Sequence, residues 1–231
     1  MKEIHIKDKL AEIGMPVEEL SLGDFDVIGH YTAYKNRSPE SDQYKKVGCF
    51  FRPNYERGLL IYSLIKKHKL KSYLEIGYGR GYSSMCAAKA FMELGEGKVV
   101  TVDPILEQEE INRVASIFGK QMMDHVTFVK GTSQKYLPEM EETFDMIYID
   151  GDHTVDAVRN DWEHTKDKYN KFLLFDDYHK KEIQADIECS QVIDEIEDES
   201  KELIIMDRRI FLDDRQKTDE EINYGQVLLT K

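Results

Sequence analysis

The chain has 231 residues, enough to bury a substantial core as one large domain without disulfide or metal staples. With 45 acidic against 32 basic side chains its formal charge is −13, so most of its surface repels phosphate polymers and nucleic acid is not an expected partner. Cys49, Cys86 and Cys189 are odd in number, far apart and in no Cys-x-x-Cys arrangement, which points to neither a disulfide framework nor a zinc site.

No apolar run approaches the length of a bilayer span, and Met1-Lys2-Glu3-Ile4-His5 does not open a signal sequence. A cytoplasmic protein with no membrane contact is the expectation. Residues 1–55 read as an N-terminal extension and residues 56–231 as the main domain. The extension holds weak helical pieces at Ile6–Ile13 and Val17–Leu22, then a polar stretch from Gly23 to Pro53 punctuated by Gly and Pro. Such a segment could cover a substrate mouth or make a homo-oligomer contact.

Leu59, Leu60, Leu64 and Ile65 have helical spacing, starting near Pro53-Asn54. The helix closes on Lys66-Lys67-His68-Lys69-Leu70-Lys71, whose cations complement the negative end of its dipole. A short apolar run from Tyr73 then breaks into Gly77, Gly79 and Gly81, and Ser83–Leu94 returns to helical intervals until Gly95-Glu96-Gly97. Val99-Val100-Thr101-Val102 is a β-branched strand ending in Asp103-Pro104. Glu107–Phe118 reads as a helix, Val126–Lys130 as a strand and Gln134–Met140 as a short helical turn. Phe144–Ile149 is a strand ending on Asp150.

Thr154–Tyr169 is helical, with Val155, Val158 and Trp162 on one side, and Phe172–Phe175 is a strand running into Asp176-Asp177. A helix around Ile183–Ile196 and strands at Leu203–Met206 and Gln226–Thr230 complete the pattern. Strands alternating with helices predict an α/β fold: a Rossmann-like, doubly wound, seven-stranded, mainly parallel sheet with helices on both faces and an antiparallel C-terminal strand.

In such a sheet ligands sit beyond the carboxyl ends of the strands. The glycine turn after Tyr73-Leu74-Glu75-Ile76 lets a ligand approach the backbone closely, and the following helix N-terminus suits a carboxylate or phosphate. A dinucleotide fingerprint would need glycine where Tyr82 stands, so a nicotinamide dehydrogenase is disfavoured. A purely structural strand-to-helix turn is the bland alternative. Asp103 can accept both hydroxyls of a ribose, or simply serve as a turn acid before Pro104.

Asp150, Asp176 and Asp177 at neighbouring strand ends would repel one another unless protonated or neutralised by a cation. Oxygen ligands of this kind suit magnesium or calcium, and a metal there could lower the pKa of a substrate hydroxyl. Asp152 and Asp177 as helix caps are the competing reading.

Leu74–Ser83, Gly131-Thr132-Ser133-Gln134 with Leu137-Pro138, and Asp150 with Asp176-Asp177 together resemble the catechol O-methyltransferase-like family of class I S-adenosylmethionine-dependent methyltransferases. Ile149-Asp150-Gly151-Asp152-His153 followed by Phe175-Asp176-Asp177 is also similar to the metal-dependent sugar O-methyltransferases. The resemblance spans residues 56 to about 180. It implies that Glu75, Gly77, Tyr78 and Gly79 line the methionine side of S-adenosylmethionine and that Ser83 binds its carboxylate. Asp103 would hold the ribose, and Thr132, Ser133 and Gln134 would form the adenine end, with Asp150 also at the cofactor.

The resemblance further implies metal ligands at Asp150, Asp176 and Asp177, with magnesium the expected ion, and a catalytic pair in Asp150 and His153. His153 stands where these families place a general base, and an ordinary imidazole accepts a proton near neutrality. The family's Gly-Gly turn before the fifth strand is replaced by Tyr169-Asn170-Lys171, where Asn170 is expected to take the left-handed conformation. The implied function is metal-dependent transfer of a methyl group to a hydroxyl of a small sugar-like or catechol-like molecule. Alternatives on the same scaffold are a non-methylating, cephalosporin-hydroxylase-like enzyme and a non-catalytic nucleoside-binding module.

Overall fold

The computed structural model describes residues 1–15, 55–79, 81–180, 188–206 and 224–231. The expected helix at Val17–Leu22, the Gly23–Pro53 stretch, Cys49 and the first part of the expected Ile183–Ile196 helix lie outside these residues. Among them no helix is long and apolar enough to cross a membrane.

In chain order the elements are β1 (Lys2–His5), α1 (Ile6–Ile13), α2 (Tyr55–His68), β2 (Ser72–Ile76), α3 (Tyr82–Leu94), β3 (Lys98–Asp103), α4 (Gln108–Met123) and β4 (Val126–Lys130). There follow α5 (Ser133–Tyr136) with a 3-10 turn at Leu137–Glu139, β5 (Phe144–Ile149), α6 (Val155–Thr165), β6 (Tyr169–His179), α7 (Cys189–Glu195), β7 (Glu202–Ile205) and β8 (Tyr224–Thr230). One sheet holds all eight strands in the order β1-β7-β8-β6-β5-β2-β3-β4. Only β8 runs against its neighbours, lying antiparallel between β6 and β7.

The eighth strand, β1, is absent from the expected seven. Lys2-Glu3-Ile4-His5 lacks a β-branched run, so its strand character comes from tertiary pairing rather than propensity. It lies parallel to β7, and Lys2 reaches Glu202 at 2.8 Å while Glu3 accepts from Lys180 at 2.6 Å. Within α4, Gly119 (φ 76°, ψ 168°) is non-helical and divides two helical segments, so the first ends beside Phe118 as expected and a second follows to Met123. One further expectation differs. Asn170 is not left-handed: β6 already starts at Tyr169, and the non-glycine residues with positive φ among those described are Lys69 and Asp177.

The basic stretch after α2 does end a helix. Lys69 takes φ 48°, and the Leu70 N–H returns to the Ile65 carbonyl at 3.1 Å, satisfying one of the open carbonyls of the last turn.

Each strand alternates its side chains between two apolar layers. Tyr73, Met146, Phe172, Leu174 and Leu228 face α1, α2 and α3, whereas Leu74, Ile147, Leu173, Val227 and Leu229 face α6 and α7. The same alternation sends Glu75, Tyr148, Asp176 and Gln226 into the first layer, all buried. A polar row therefore crosses the sheet under α2 and α3, and it must find its partners there.

Candidate active site

Strands β2 and β5 are neighbours whose chain connections leave in opposite directions along the sheet, to β3 and to β6. A cavity of about 500 Å³ opens beyond their carboxyl ends, at the position where open α/β sheets bind ligands.

One end of the cavity is the glycine turn. Gly77 (φ 92°) donates its N–H to the Val102 carbonyl at 2.9 Å, and Gly79 (φ 52°) donates to Asp103 Oδ2 at 3.0 Å. The other Asp103 oxygen accepts the Ile105 N–H at 2.8 Å. Asp103 thus braces two loops while its carboxylate lines the cavity, so the turn-acid and ligand-facing readings are compatible. Tyr78, Ser83, Thr132, Ser133 and Gln134 line the same space.

Glu75 is the one expected cofactor residue behind this wall. It is fully buried, and the hydroxyls of Ser83 and Ser84 donate to its two oxygens, with Thr101 Oγ1 at 3.4 Å. Burial pushes its carboxyl up to about 8 against the pull of Ser83 and Thr101. Its place in the geometry is to tie the start of α3 to β2 and β3. The Ser83 hydroxyl, expected at a ligand carboxylate, is engaged with Glu75.

The other end is acidic. Asp150 follows β5, and His153 projects from the loop leading to α6, both on the cavity wall. His153 Nε2 lies 3.4 Å from Asp177 Oδ2, and its Nδ1 lies 3.5 Å from Cys189 Sγ on α7. Asp176 and Asp177 are consecutive on a strand and would ordinarily point to opposite faces. An irregularity in the β6–β8 pairing between Phe175 and Tyr178, with Asp177 left-handed at φ 51°, turns both towards the same region.

Arg57, from the first turns of α2, was not expected there. Its guanidinium is ion-paired with Asp176, 3.4 Å from Asp150 Oδ2 and 3.9 Å from Asp177 Oδ1. Gly58 permits the approach, because a Cβ there would lie 2.7 Å from both Cys86 Sγ and the Tyr82 ring. Helix α2 can therefore press against α3 and carry Arg57 into the acid cluster.

Behind Arg57, the Tyr148 hydroxyl donates to Asp176 Oδ2 at 2.9 Å, and Gln226 Nε2 donates to Asp176 Oδ1 at 3.2 Å and to the Tyr148 oxygen at 3.1 Å. Burial opposes the charge on Arg57, but Asp176, Tyr148, Asp150 and Asp177 outweigh it and push its pKa up. Burial, reinforced by Asp176, holds Asp150 well above the usual carboxylate range. Burial and Asp176 likewise push Asp177 up to about 6, with Arg57 and His153 pulling the other way.

These contacts bear on the expected metal. Asp150, His153 and Asp177 offer ligand atoms within 4.8 Å of one another, a spacing that would by itself admit an ion. Asp176 does not join that set: it is 2% exposed and its oxygens are bonded to Arg57, Tyr148 and Gln226. An ion there would have to share Asp150 and Asp177 with the Arg57 guanidinium, whose like charge repels it. With Arg57 in place the residues do not fit a divalent cation.

Arg57, Tyr148 and Gln226 are the functional side chains that the sequence reading missed. Tyr148 and Gln226 left a faint signal, as polar groups inside otherwise apolar strands. Arg57 left none beyond its glycine neighbour.

Residues 74–178 match a family described as a methyltransferase domain. The O-methyltransferase TomG from Streptomyces achromogenes, solved with S-adenosylmethionine, is 14% identical, with a TM-score of 0.60 over 91% of this chain and 94% of that one. The O-methyltransferase from Bacillus cereus, solved with S-adenosylhomocysteine, is 14% identical with a TM-score of 0.56 over 98% and 97%. The Podospora anserina methyltransferase PaMTH1, also bound to S-adenosylhomocysteine, is 16% identical with a TM-score of 0.54 over 89% and 88%. A comparison with curated protein sequences finds no match.

The chain has the Rossmann-like fold of class I methyltransferases, and residues 74–178 resemble a methyltransferase domain.

Proposed function

We propose that the protein transfers the sulfonium methyl of S-adenosylmethionine to a hydroxyl oxygen of a small molecule, sugar-like or catechol-like in chemistry. The observation that carries this reading is the pairing of two ends in one cavity. Gly77, Gly79, Asp103, Ser133 and Gln134 line one end, and His153 beside Asp177 lines the other.

The nucleoside fits the first end. The Asp103 carboxylate meets the ribose hydroxyls, Ser133 and Gln134 meet the adenine, and Gly77–Gly79 leave room for the methionine moiety. The acceptor hydroxyl lies at the second end. Its oxygen attacks the methyl carbon in line with the departing sulfur, the carbon–sulfur bond pair stays on sulfur, and neutral S-adenosylhomocysteine leaves. His153 takes the hydroxyl proton on Nε2, where the Asp177 carboxylate stabilises the imidazolium. Holding donor and acceptor at attack distance can contribute about 7–11 kcal/mol to the barrier reduction. The acidic surface suits an uncharged or cationic acceptor better than a polyanion. Neighbouring folds solved as O-methyltransferases support oxygen as the accepting atom.

The test has two parts. Calorimetric titration should show S-adenosylmethionine binding. Formation of S-adenosylhomocysteine against a panel of sugars and catechols should then identify an acceptor. Absence of binding would reject the cofactor assignment, and binding with methylation only of nitrogen or carbon acceptors would reject the hydroxyl.

A further inference from the structure

The acid cluster at the acceptor end already contains a cation, and that cation belongs to the chain. Arg57 pairs with Asp176 and lies 3.4 Å from Asp150 and 3.9 Å from Asp177, the two carboxylates that a divalent ion would share with His153. Its position is built from several sides. Gly58 sets the distance between α2 and α3, and Tyr148 and Gln226 fix the Asp176 carboxylate that anchors the guanidinium. The Arg57 side chain also lines the cavity, so its charge faces the space left for the acceptor.

We propose that Arg57 is the resident cation of this site, excluding divalent metal from Asp150, His153 and Asp177 and supplying the positive charge beside the acceptor oxygen, so that turnover needs no metal. The part concerning turnover rests on the methyl-transfer reading above. The part concerning metal exclusion does not.

A guanidinium differs from a metal ion in what it can do. It donates hydrogen bonds in a plane and cannot coordinate the oxygen, so it orients the acceptor and stabilises developing charge without a change of coordination. Proton removal then falls to His153, whose imidazole remains available only if it is not ligating an ion.

The experiment uses the full chain, with and without S-adenosylhomocysteine, titrated with Mn²⁺ and followed by the electron paramagnetic resonance of the free ion. The wild-type protein should take up no Mn²⁺ below the millimolar range. The paired variant Arg57→Met with Asp176→Asn removes the ion pair as a unit, leaving neither member buried without the other, and keeps Asp150, His153 and Asp177. It should gain Mn²⁺ affinity by roughly tenfold or more. Chelator treatment should leave wild-type turnover unchanged on an identified acceptor.

Stoichiometric Mn²⁺ binding by the wild-type protein would overturn the proposal. So would a paired variant that keeps its circular dichroism and S-adenosylhomocysteine affinity yet gains no ion. Loss of turnover on chelation, restored by added magnesium, would overturn it as well. If the paired variant does not fold, the wild-type titration decides alone. Failure to bind S-adenosylhomocysteine would refute the methyl-transfer reading and leave the Mn²⁺ result standing on its own.

Discussion

A Cβ on Gly77 would lie 2.0 Å from the carbonyl oxygen of Asp150, so the tip of β2 and the end of β5 touch backbone to backbone. The Asp150 N–H, in turn, donates to the Ile76 carbonyl at 2.9 Å. The two strands that flank the cavity are thereby locked together where its two ends meet. Gly77 also has φ 92°, which an L side chain adopts only under strain. Gly77→Ala should destabilise the protein by more than about 2 kcal/mol and abolish S-adenosylmethionine binding, as read by thermal melting and calorimetry. A folded variant with unchanged affinity would show that the strands can part without consequence.

His153→Ala separates chemistry from cofactor binding. The ring meets Asp177 and Cys189, and among the described residues no hydrogen bond ties it to the glycine turn. Turnover should fall by about 10²–10⁴-fold while the S-adenosylmethionine dissociation constant moves by less than roughly threefold. An equal loss in both would give His153 a binding role.

Asp103→Asn replaces one carboxylate oxygen by an amide that cannot accept from Gly79 or Ile105. The expected loss is about 1.5–3 kcal/mol of cofactor affinity, roughly 10- to 150-fold in Kd, with kcat less affected at saturation. Full affinity in the variant would remove the ribose assignment.

The central parallel strands and the glycine turn were legible because local pattern and tertiary role agree there. Val99-Val100-Thr101-Val102 is largely apolar because both faces of β3 are covered; Gly77 is glycine because a Cβ would strike the Asp150 carbonyl, and Gly79 because its φ is positive. Lys2–His5 was illegible because its strand exists only through pairing with β7. The acid cluster was half legible. The aspartates mark strand ends, but what neutralises them comes from α2, and no periodicity in Tyr55-Glu56-Arg57-Gly58 announces a guanidinium bound for the site. Glu75 was placed on the ligand side because its motif position suggests it, whereas strand alternation sends it beneath α3.

Glu75 yields a prediction about acidity. Its carboxyl is pushed up to about 8 from an ordinary value near 4.5, so the folded state holds the proton more tightly than the unfolded chain does. Stability from this group is fully present below about 4.5 and is lost as pH rises through about 8. Thermal midpoints of the wild-type protein should fall across that window, and Glu75→Gln should flatten the slope. Parallel slopes would assign the decline to other groups, Asp150 and Asp177 first.

Among the described strands β8 comes after β7 in sequence, yet it fills an interior slot between β6 and β7. A ribosome making this protein therefore releases β7 with no partner on the β6 side, and β1 and β7 wait detached until the final stitch goes in. Gln226 arrives with that stitch and completes the cradle of Asp176. Loosening β8 should therefore cost the whole sheet rather than its margin.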